Sequence, residues 1–237
     1  MNIELPVLEG VLVQRYKRFL ADVRLADGTE LTVHCPNSGA MTTCSEPGRP
    51  VIISDSQNPK RKLRYTLEMI QMGDVWVGVN TANPNRAVAG FIETGQIAEL
   101  SGYDTLRREV KYGREGRSRI DILLEDDESP DTRCYVEIKN TTLRSGEHAA
   151  FPDAVTTRGL KHLEELADVV ESGHRGVIFF FMGREDCLRM RPADEVDPAY
   201  GEALRRVAAA GVEILAYRMA FSPTGVRLLD RAPVDLD

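Results

Sequence analysis

Over the first 81 residues, apolar and polar positions alternate in short runs, which is the pattern of half-buried β-strands. Turn residues such as Gly, Pro, Asn and Asp separate the runs. Six strands are predicted, over residues 7–14, 20–25, 30–34, 51–54, 65–72 and 75–79. Because so many short strands follow one another with no helical period between them, the pattern predicts a small antiparallel barrel of OB type.

After residue 81, helical and strand patterns alternate. The order predicted is a helix, three strands, a helix, a strand, a helix and a strand, over residues 85–93, 107–112, 119–124, 134–139, 154–171, 176–182, 197–211 and 212–218. Asp153 and Gly173 are the predicted start and stop signals of the second helix, and Asp197 precedes the third. The nearly apolar strand 176–182 predicts a central strand covered on both faces. The fold class is therefore mixed α/β, with a barrel over 1–82 and an α/β domain over 83–237.

Charge divides along the same boundary. The chain has 237 residues and a net charge of −7, and residues 1–90 hold ten Lys or Arg against nine Asp or Glu. The acidic excess therefore lies in the second domain. This balance excludes a protein that coats nucleic acid through bulk positive charge, so any nucleic-acid site must come from local clusters of cations.

The four cysteines include no C-x-x-C pair, which favours neither a zinc site nor a disulfide framework and is typical of a reducing compartment. The amino-terminal residues lack the order of a signal peptide, and no apolar run is long enough for a membrane span. We therefore expect a cytoplasmic protein with no membrane partner. A homodimer is left open.

The most specific chemical signal is Asp121 followed sixteen residues later by Glu137 and then Lys139. Apolar and polar residues alternate with period two in both segments. A hairpin in a suitable register therefore places the three side chains on one face of the sheet. Two carboxylates at such spacing suit Mg²⁺, with Mn²⁺ an alternative, and the lysine suits a phosphate or an attacking water. Glu109 is a third acid on the preceding strand. From the residues alone, an ordinary surface ion pair stays open as the alternative.

Seven sequence runs give a closer comparison. They are RYKRFLADV at 15–23, HCPNSG at 34–39, RKLRYT at 61–66, GVNT at 78–81, SRID at 118–121, VEIKN at 136–140 and FPDAVT at 151–156. They resemble the sugar fermentation stimulation protein A (SfsA) family over nearly the whole chain, and the Asp, Glu-x-Lys order resembles the PD-(D/E)xK nuclease superfamily. The resemblance implies an OB-like barrel fused to a nuclease-like domain, DNA binding and a role in regulating maltose metabolism. It places the nuclease acids on Glu109, Asp121 and Glu137 and the lysine on Lys139, all of which are present.

Three basic or aromatic clusters suit a nucleic-acid backbone. Two lie in the barrel and one on the predicted helix 154–171; their members are Arg15, Tyr16, Lys17 and Arg18, then Lys60, Arg61, Lys62 and Arg64, then Arg158, Lys161 and His162. Cations with neighbouring rings are typical of OB-type grooves. A solvated charged face is the alternative for each cluster.

The leading hypothesis is a DNA-binding protein without sequence preference that has an intact Mg²⁺-dependent site for phosphodiester hydrolysis. Its competitor is a non-enzymatic DNA-binding regulator of maltose metabolism, in which the same residues form a structural ion-pair network. A sugar-linked sensor is a third and weaker hypothesis, because no residue pattern indicates a sugar site.

Overall fold

The amino-terminal sheet is a barrel, as the alternating pattern predicts. The computed structural model describes residues 2, 5–113, 116, 118–129 and 132–237. Six strands form the sheet: β1 (Val7–Tyr16), β2 (Leu20–Leu25), β3 (Glu30–His34), β4 (Pro50–Asp55), β5 (Tyr65–Met72) and β6 (Val75–Gly78). Their order is β3-β2-β1-β4-β5-β6, and a parallel pairing of His34 with Thr66 joins β3 to β5 and closes the sheet. Each strand lies within two residues of its predicted bounds.

The rest of the chain forms a second six-stranded sheet with helices on both faces, together with a separate three-stranded sheet. The elements in order are α1 (Asn83–Glu93), β7 (Thr105–Tyr112), β8 (Ser118–Glu125), β9 (Cys134–Thr141), β10 (Leu143–Ser145), β11 (His148–Phe151), α2 (Thr157–Glu171), β12 (Arg175–Met182), β13 (Arg189–Pro192), α3 (Pro198–Ala209), β14 (Glu213–Ser222) and β15 (Gly225–Arg231). The large sheet has the order β15-β14-β12-β9-β8-β7. One apolar core lies under α2 and α3 and another under α1.

The central strand β12 explains why two cores are possible. It pairs in parallel with β9 on one side and with β14 on the other. Its residues from Val177 to Met182 are fully buried, as predicted for a strand covered on both faces. The carboxyl end of β9 therefore lies at the middle of the sheet, where it carries Glu137 and Lys139.

The start of α2 differs from the prediction. The helix begins at Thr157 rather than at residue 154, and Thr156 caps it by accepting the Gly159 N–H at 3.0 Å. Asp153 instead accepts the Met41 N–H from the barrel at 3.1 Å. The third helix begins directly after Asp197, as predicted, and the Asp197 side chain caps it by accepting the Tyr200 N–H. The sequence pattern missed the short strands β10, β11 and β13, since three or four residues carry no measurable period, and it also missed β15.

Direct contacts hold the barrel against the second sheet. The Gly78 N–H donates to the Gly183 carbonyl at 2.8 Å. The same glycine lies so close to the Phe221 ring that a Cβ there would stand 2.1 Å from it. Arg184, which is almost fully buried, donates to the Thr43 hydroxyl of the barrel at 3.3 Å. These contacts join the barrel to the second sheet. Within the described ranges, no helix has the length and apolarity to cross a membrane.

Candidate functional site

The hairpin of β8 and β9 brings the predicted carboxylates together. Ile122 pairs with Val136, so Asp121 and Glu137 follow as neighbours on adjacent strands. Asp121 accepts the backbone N–H of Ile138 on Oδ2 at 2.7 Å and the Asn85 side-chain amide on Oδ1 at 2.7 Å. Both oxygens of Asp121 are thus held in place by a donor, one from the neighbouring strand and one from the first turn of α1.

Glu137 is the most enclosed member of the site. Its exposed fraction is 3%. Its Oε1 accepts the Lys139 ammonium at 2.7 Å and also contacts Nδ1 of His162. Its Oε2 is buried and has no hydrogen-bond partner among the described residues. A buried carboxylate oxygen without a partner is unfavourable by about 1–3 kcal/mol, and a ligand at that atom removes the penalty.

The two carboxyl groups differ in proton affinity. Burial, and then the negative charge of Glu137, raise the pKa of Asp121 to about 6. Burial also acts to raise the pKa of Glu137, but the Lys139 ammonium and the contacts with His162 outweigh it and hold that pKa below its usual value. Negative charge is therefore retained on Glu137, and a cation between the groups would favour ionisation of both.

These residues line a cleft between the two domains with a volume of about 380 Å³. The hairpin contributes its acids and Lys139, α2 contributes Arg158 and His162, and the barrel contributes Arg18 and the loop 37–39. Asp153 fixes that loop, because its carboxylate packs against Gly39, where a Cβ would stand 2.2 Å from Oδ1. The site is thus formed by residues of both domains.

Arg15 shapes the barrel loop from the other side. Its guanidinium donates to the carbonyls of Asn37, Gly39 and Ala40 at 2.8–3.1 Å. The structure therefore places Arg15 as a support of the loop. Tyr16 donates to Asp22, which keeps its hydroxyl on the barrel surface.

Other predicted cations of the barrel lie outside the cleft. Arg64 forms an ion pair with Asp55, and Arg61 donates to Thr66. Lys60 and Lys62 are exposed. Arg18 is the predicted barrel cation that lines the cleft. It shares the three-residue turn between β1 and β2 with Lys17 and Phe19, and both Arg18 and Lys17 have left-handed backbone angles, with φ of 61° and 48°. That turn projects one arginine towards the acids.

The structure does not bring every predicted residue to the carboxylates. Glu109 lies opposite Asp121 on the edge strand β7 and is exposed. It contacts the site through Asn85, because Nδ2 of Asn85 lies 3.3 Å from Oε1 of Glu109. Its φ of 55° interrupts regular pairing at that position. Lys161 donates to Ser118 at 3.0 Å and does not line the cleft.

Sequence reasoning missed three residues of the cleft. Asn85 holds Asp121, and Asp153 anchors the barrel loop. Asn140 lines the cleft, and its buried Oδ1 has no hydrogen-bond partner in the described part of the chain. Asn140 and Asp153 lie within the runs 136–140 and 151–156 that carry the family resemblance. No spacing rule identifies any of the three residues as part of a site.

The donor set suits a hard divalent cation. Among the described residues, no three His, Cys, Asp or Glu side chains converge in a ready-made metal cage. Mg²⁺ does not require one, because it is commonly held by one or two carboxylates together with waters and substrate phosphate. Asp121 and Glu137 supply two carboxylates, and the unpartnered Oε2 supplies a vacant lone pair. The residues therefore fit the ion that the sequence predicts.

A closed OB-type barrel joined to an α/β domain, with paired carboxylates in the cleft between them, defines a two-domain protein of mixed α/β fold. Family models agree over most of the chain. One described as the SfsA N-terminal OB domain matches residues 13–79, and one described as the sugar fermentation stimulation protein RE domain matches residues 82–225. The chain belongs to the sugar fermentation stimulation protein (SfsA) family.

Curated relatives and a solved structure match the full length. The sugar fermentation stimulation protein homologue of Geobacter metallireducens is 53% identical, with 100% of each chain covered. That of Pelobacter propionicus is 54% identical, with 98% of each covered. The structure of Pyrococcus furiosus SfsA in complex with Ca²⁺ is 27% identical and has a TM-score of 0.88, with 99% of this chain and 98% of that one covered. These matches confirm the predicted family and fold.

Proposed function

We propose that this protein binds DNA without sequence preference and hydrolyses its phosphodiester bonds with Mg²⁺, or with Mn²⁺ in its place. The observation that carries the proposal is the buried Oε2 of Glu137, which has no partner in the described structure although it lines a cleft beside Asp121 and Lys139. The Pyrococcus furiosus relative was solved in complex with Ca²⁺, which supports a divalent cation as the missing partner.

In this proposal, Asp121 and Glu137 hold the metal. The bound ion supplies a lowered pKa for an attacking water and neutralises charge on the phosphate. Lys139 lies 2.7 Å from Glu137 and lines the cleft, so its ammonium can orient the water or stabilise the phosphate. Glu109 acts from the rim of the site through Asn85, by holding a water.

The barrel's part is to hold the nucleic-acid backbone. Arg18 faces the carboxylates across the cleft, and Arg158 lines the same cleft from α2. Guanidinium groups bind phosphate oxygens through paired donors and carry no sequence information by themselves. The exposed Lys17, Lys60 and Lys62 add positive charge outside the cleft. Binding is therefore expected to depend on salt more than on sequence.

The second candidate is a DNA-binding regulator of maltose metabolism that does not cut. The observation in its favour is that Lys139, Glu137 and His162 already form a closed network of contacts, as a structural ion pair would. Both candidates share DNA binding and differ in turnover.

Cleavage assays separate the candidates. Purified protein is incubated with single- and double-stranded DNA and RNA in Mg²⁺, Mn²⁺ or EDTA, beside Asp121→Asn and Lys139→Met. We expect metal-dependent cleavage that falls at least 100-fold in both variants. Lys161→Met is the matched control, because Lys161 is a lysine of similar length that contacts Ser118 outside the cleft. Salt-sensitive binding with no cleavage of any substrate would support the regulator instead.

A second pair of variants tests the barrel. Arg18 and Lys17 share one turn, one charge and one backbone conformation, but Arg18 lines the cleft. We expect Arg18→Ala to reduce cleavage at saturating metal by about tenfold or more, the effect of losing one or two kcal/mol of phosphate contact. Lys17→Ala should change cleavage only slightly under the same conditions. Equal effects of the two substitutions would contradict a specific role for Arg18.

A further inference from the structure

His162 lies between a carboxylate of the candidate site and an arginine of its own helix. It is 5% exposed. Its Nδ1 contacts Oε1 of Glu137, and its Nε2 accepts Nε of Arg158 at 3.3 Å. Arg158 lies four residues before His162 on α2, so the two side chains share one helix face. His162 is thus held at both ring nitrogens.

These two contacts determine which nitrogen carries the proton. Lys139 Nζ also lies 3.4 Å from Nδ1, but its ammonium makes the shorter contact with Oε1 of Glu137, at 2.7 Å. A guanidinium has donors and no acceptor, so Nε2 of His162 must present a lone pair to Arg158. The proton of the neutral ring then lies on Nδ1, where it points at Oε1 of Glu137. Lys139 donates to the same Oε1 at 2.7 Å. Two donors therefore occupy one oxygen of Glu137, while the other oxygen has none among the described residues.

We propose that His162, with its tautomer set by Arg158, is a positioning residue that turns Glu137 so that Oε2 alone ligates the divalent cation. The proposal rests on the metal site of the proposed function. It assigns His162 to the carboxylate rather than to nucleic acid. Donors that hold the second oxygen of a ligating carboxylate orient it, and their removal lowers metal affinity by about 10- to 100-fold.

One neighbour offers a different partner for Oε2. Tyr200 packs edge-on against Phe151, and its buried hydroxyl has no hydrogen-bond partner in the described ranges. Burial, and then the charge of Glu137, raise the pKa of that hydroxyl. A water between Tyr200 and Glu137 would satisfy one lone pair of Oε2 and compete with a cation for that atom, so a variant at Tyr200 belongs in the test.

The experiment measures Ca²⁺ affinity by calorimetry in the full-length protein, with no substrate. In His162→Asn the short amide places an N–H near the position of Nδ1, whereas in His162→Gln the longer side chain carries its amide towards the position of Nε2. We expect His162→Asn to bind within about threefold of wild type and His162→Gln to bind 10- to 100-fold more weakly. Lys161→Met, on the same helix, should bind as wild type. Long-range ¹H–¹⁵N spectra should show the Nδ1–H tautomer in wild type and a loss of that signature in Arg158→Met.

The outcomes distinguish a failure of the positioning role of His162 from a failure of the metal site itself. Unchanged affinity in His162→Gln, with loss in Glu137→Gln, would overturn the positioning role and leave the metal site standing. Wild-type affinity in both Glu137→Gln and Asp121→Asn would overturn the metal site itself. A gain in Ca²⁺ affinity of about tenfold or more in Tyr200→Phe would show that a water on the Tyr200 hydroxyl occupies Oε2, and would overturn Oε2 as an atom left free for the cation. An Nε2–H tautomer in wild type would overturn the role of Arg158.

Discussion

Replacing Asp121 with asparagine should stabilise the metal-free protein at neutral pH while it removes divalent-cation binding. Burial and the charge of Glu137 raise the pKa of Asp121 from 3.8 to about 6 in the folded state. A carboxyl group whose pKa is raised by folding binds its proton more tightly in the folded protein. Stability therefore falls as the pH rises from about 4 to about 6, and the full penalty is present at pH 7.

The magnitude follows from the shift. About two pKa units correspond to about 3 kcal/mol, and solvent screening of the partly exposed carboxyl reduces this value. The asparagine must keep the Ile138 N–H as its donor and turn its own NH₂ towards Asn85, which has to flip its amide. That rearrangement loses about 1 kcal/mol of hydrogen bonding. The net gain in the free energy of unfolding expected at pH 7 is about 1–2 kcal/mol. Each kcal/mol should raise Tm by about 2–4 °C.

Urea unfolding in EDTA at pH 7 and pH 4 measures the effect. The gain should be lost at pH 4, where the folded protein carries a protonated Asp121. Asp74→Asn, in the exposed turn between β5 and β6, is the control and should change nothing. Ca²⁺ at about 100 times its Kd should stabilise wild type by about 2.7 kcal/mol and leave Asp121→Asn unchanged. An asparagine variant that is less stable than wild type by the same amount at both pH values would refute the reasoning.

Three further predictions concern packing and charge. Gly78→Ala should destabilise the protein by about 2 kcal/mol or more, because its Cβ would stand 2.1 Å from the Phe221 ring at the domain junction. Chemical denaturation that shows no loss in the free energy of unfolding would contradict this contact. Gly90→Ala, in the middle of α1 with open space around it, should raise the free energy of unfolding by about 0.5–1 kcal/mol in the same assay. Replacing the exposed Lys60 and Lys62 together should weaken DNA binding and reduce the slope of log K against log salt by up to about two, and an unchanged slope would remove this patch from the binding surface.

Local patterns predicted the strands of the barrel and the hairpin of the second domain closely. Period-two alternation depends on neighbours one and two residues away, and turn signals on single residues, so both can be recovered without tertiary information. The same alternation places Asp121, Glu137 and Lys139 on one face once β8 and β9 pair. Short edge strands such as β13 were missed, because their pairing with β11 depends on residues about forty positions away.

The sequence by itself determined the family, the fold class and the acids and lysine of the hairpin, because these depend on residue order and local period. Only the tertiary structure decided which cations face those acids. Arg18 lines the cleft while its neighbour Lys17 does not, and His162 contacts Glu137 while Lys161 contacts Ser118. These choices depend on how the barrel and α2 dock on the central sheet. Docking of the barrel joins segments as far apart as Gly78 and Gly183, and docking of α2 joins His162 to Glu137, and neither separation can be read from a local pattern.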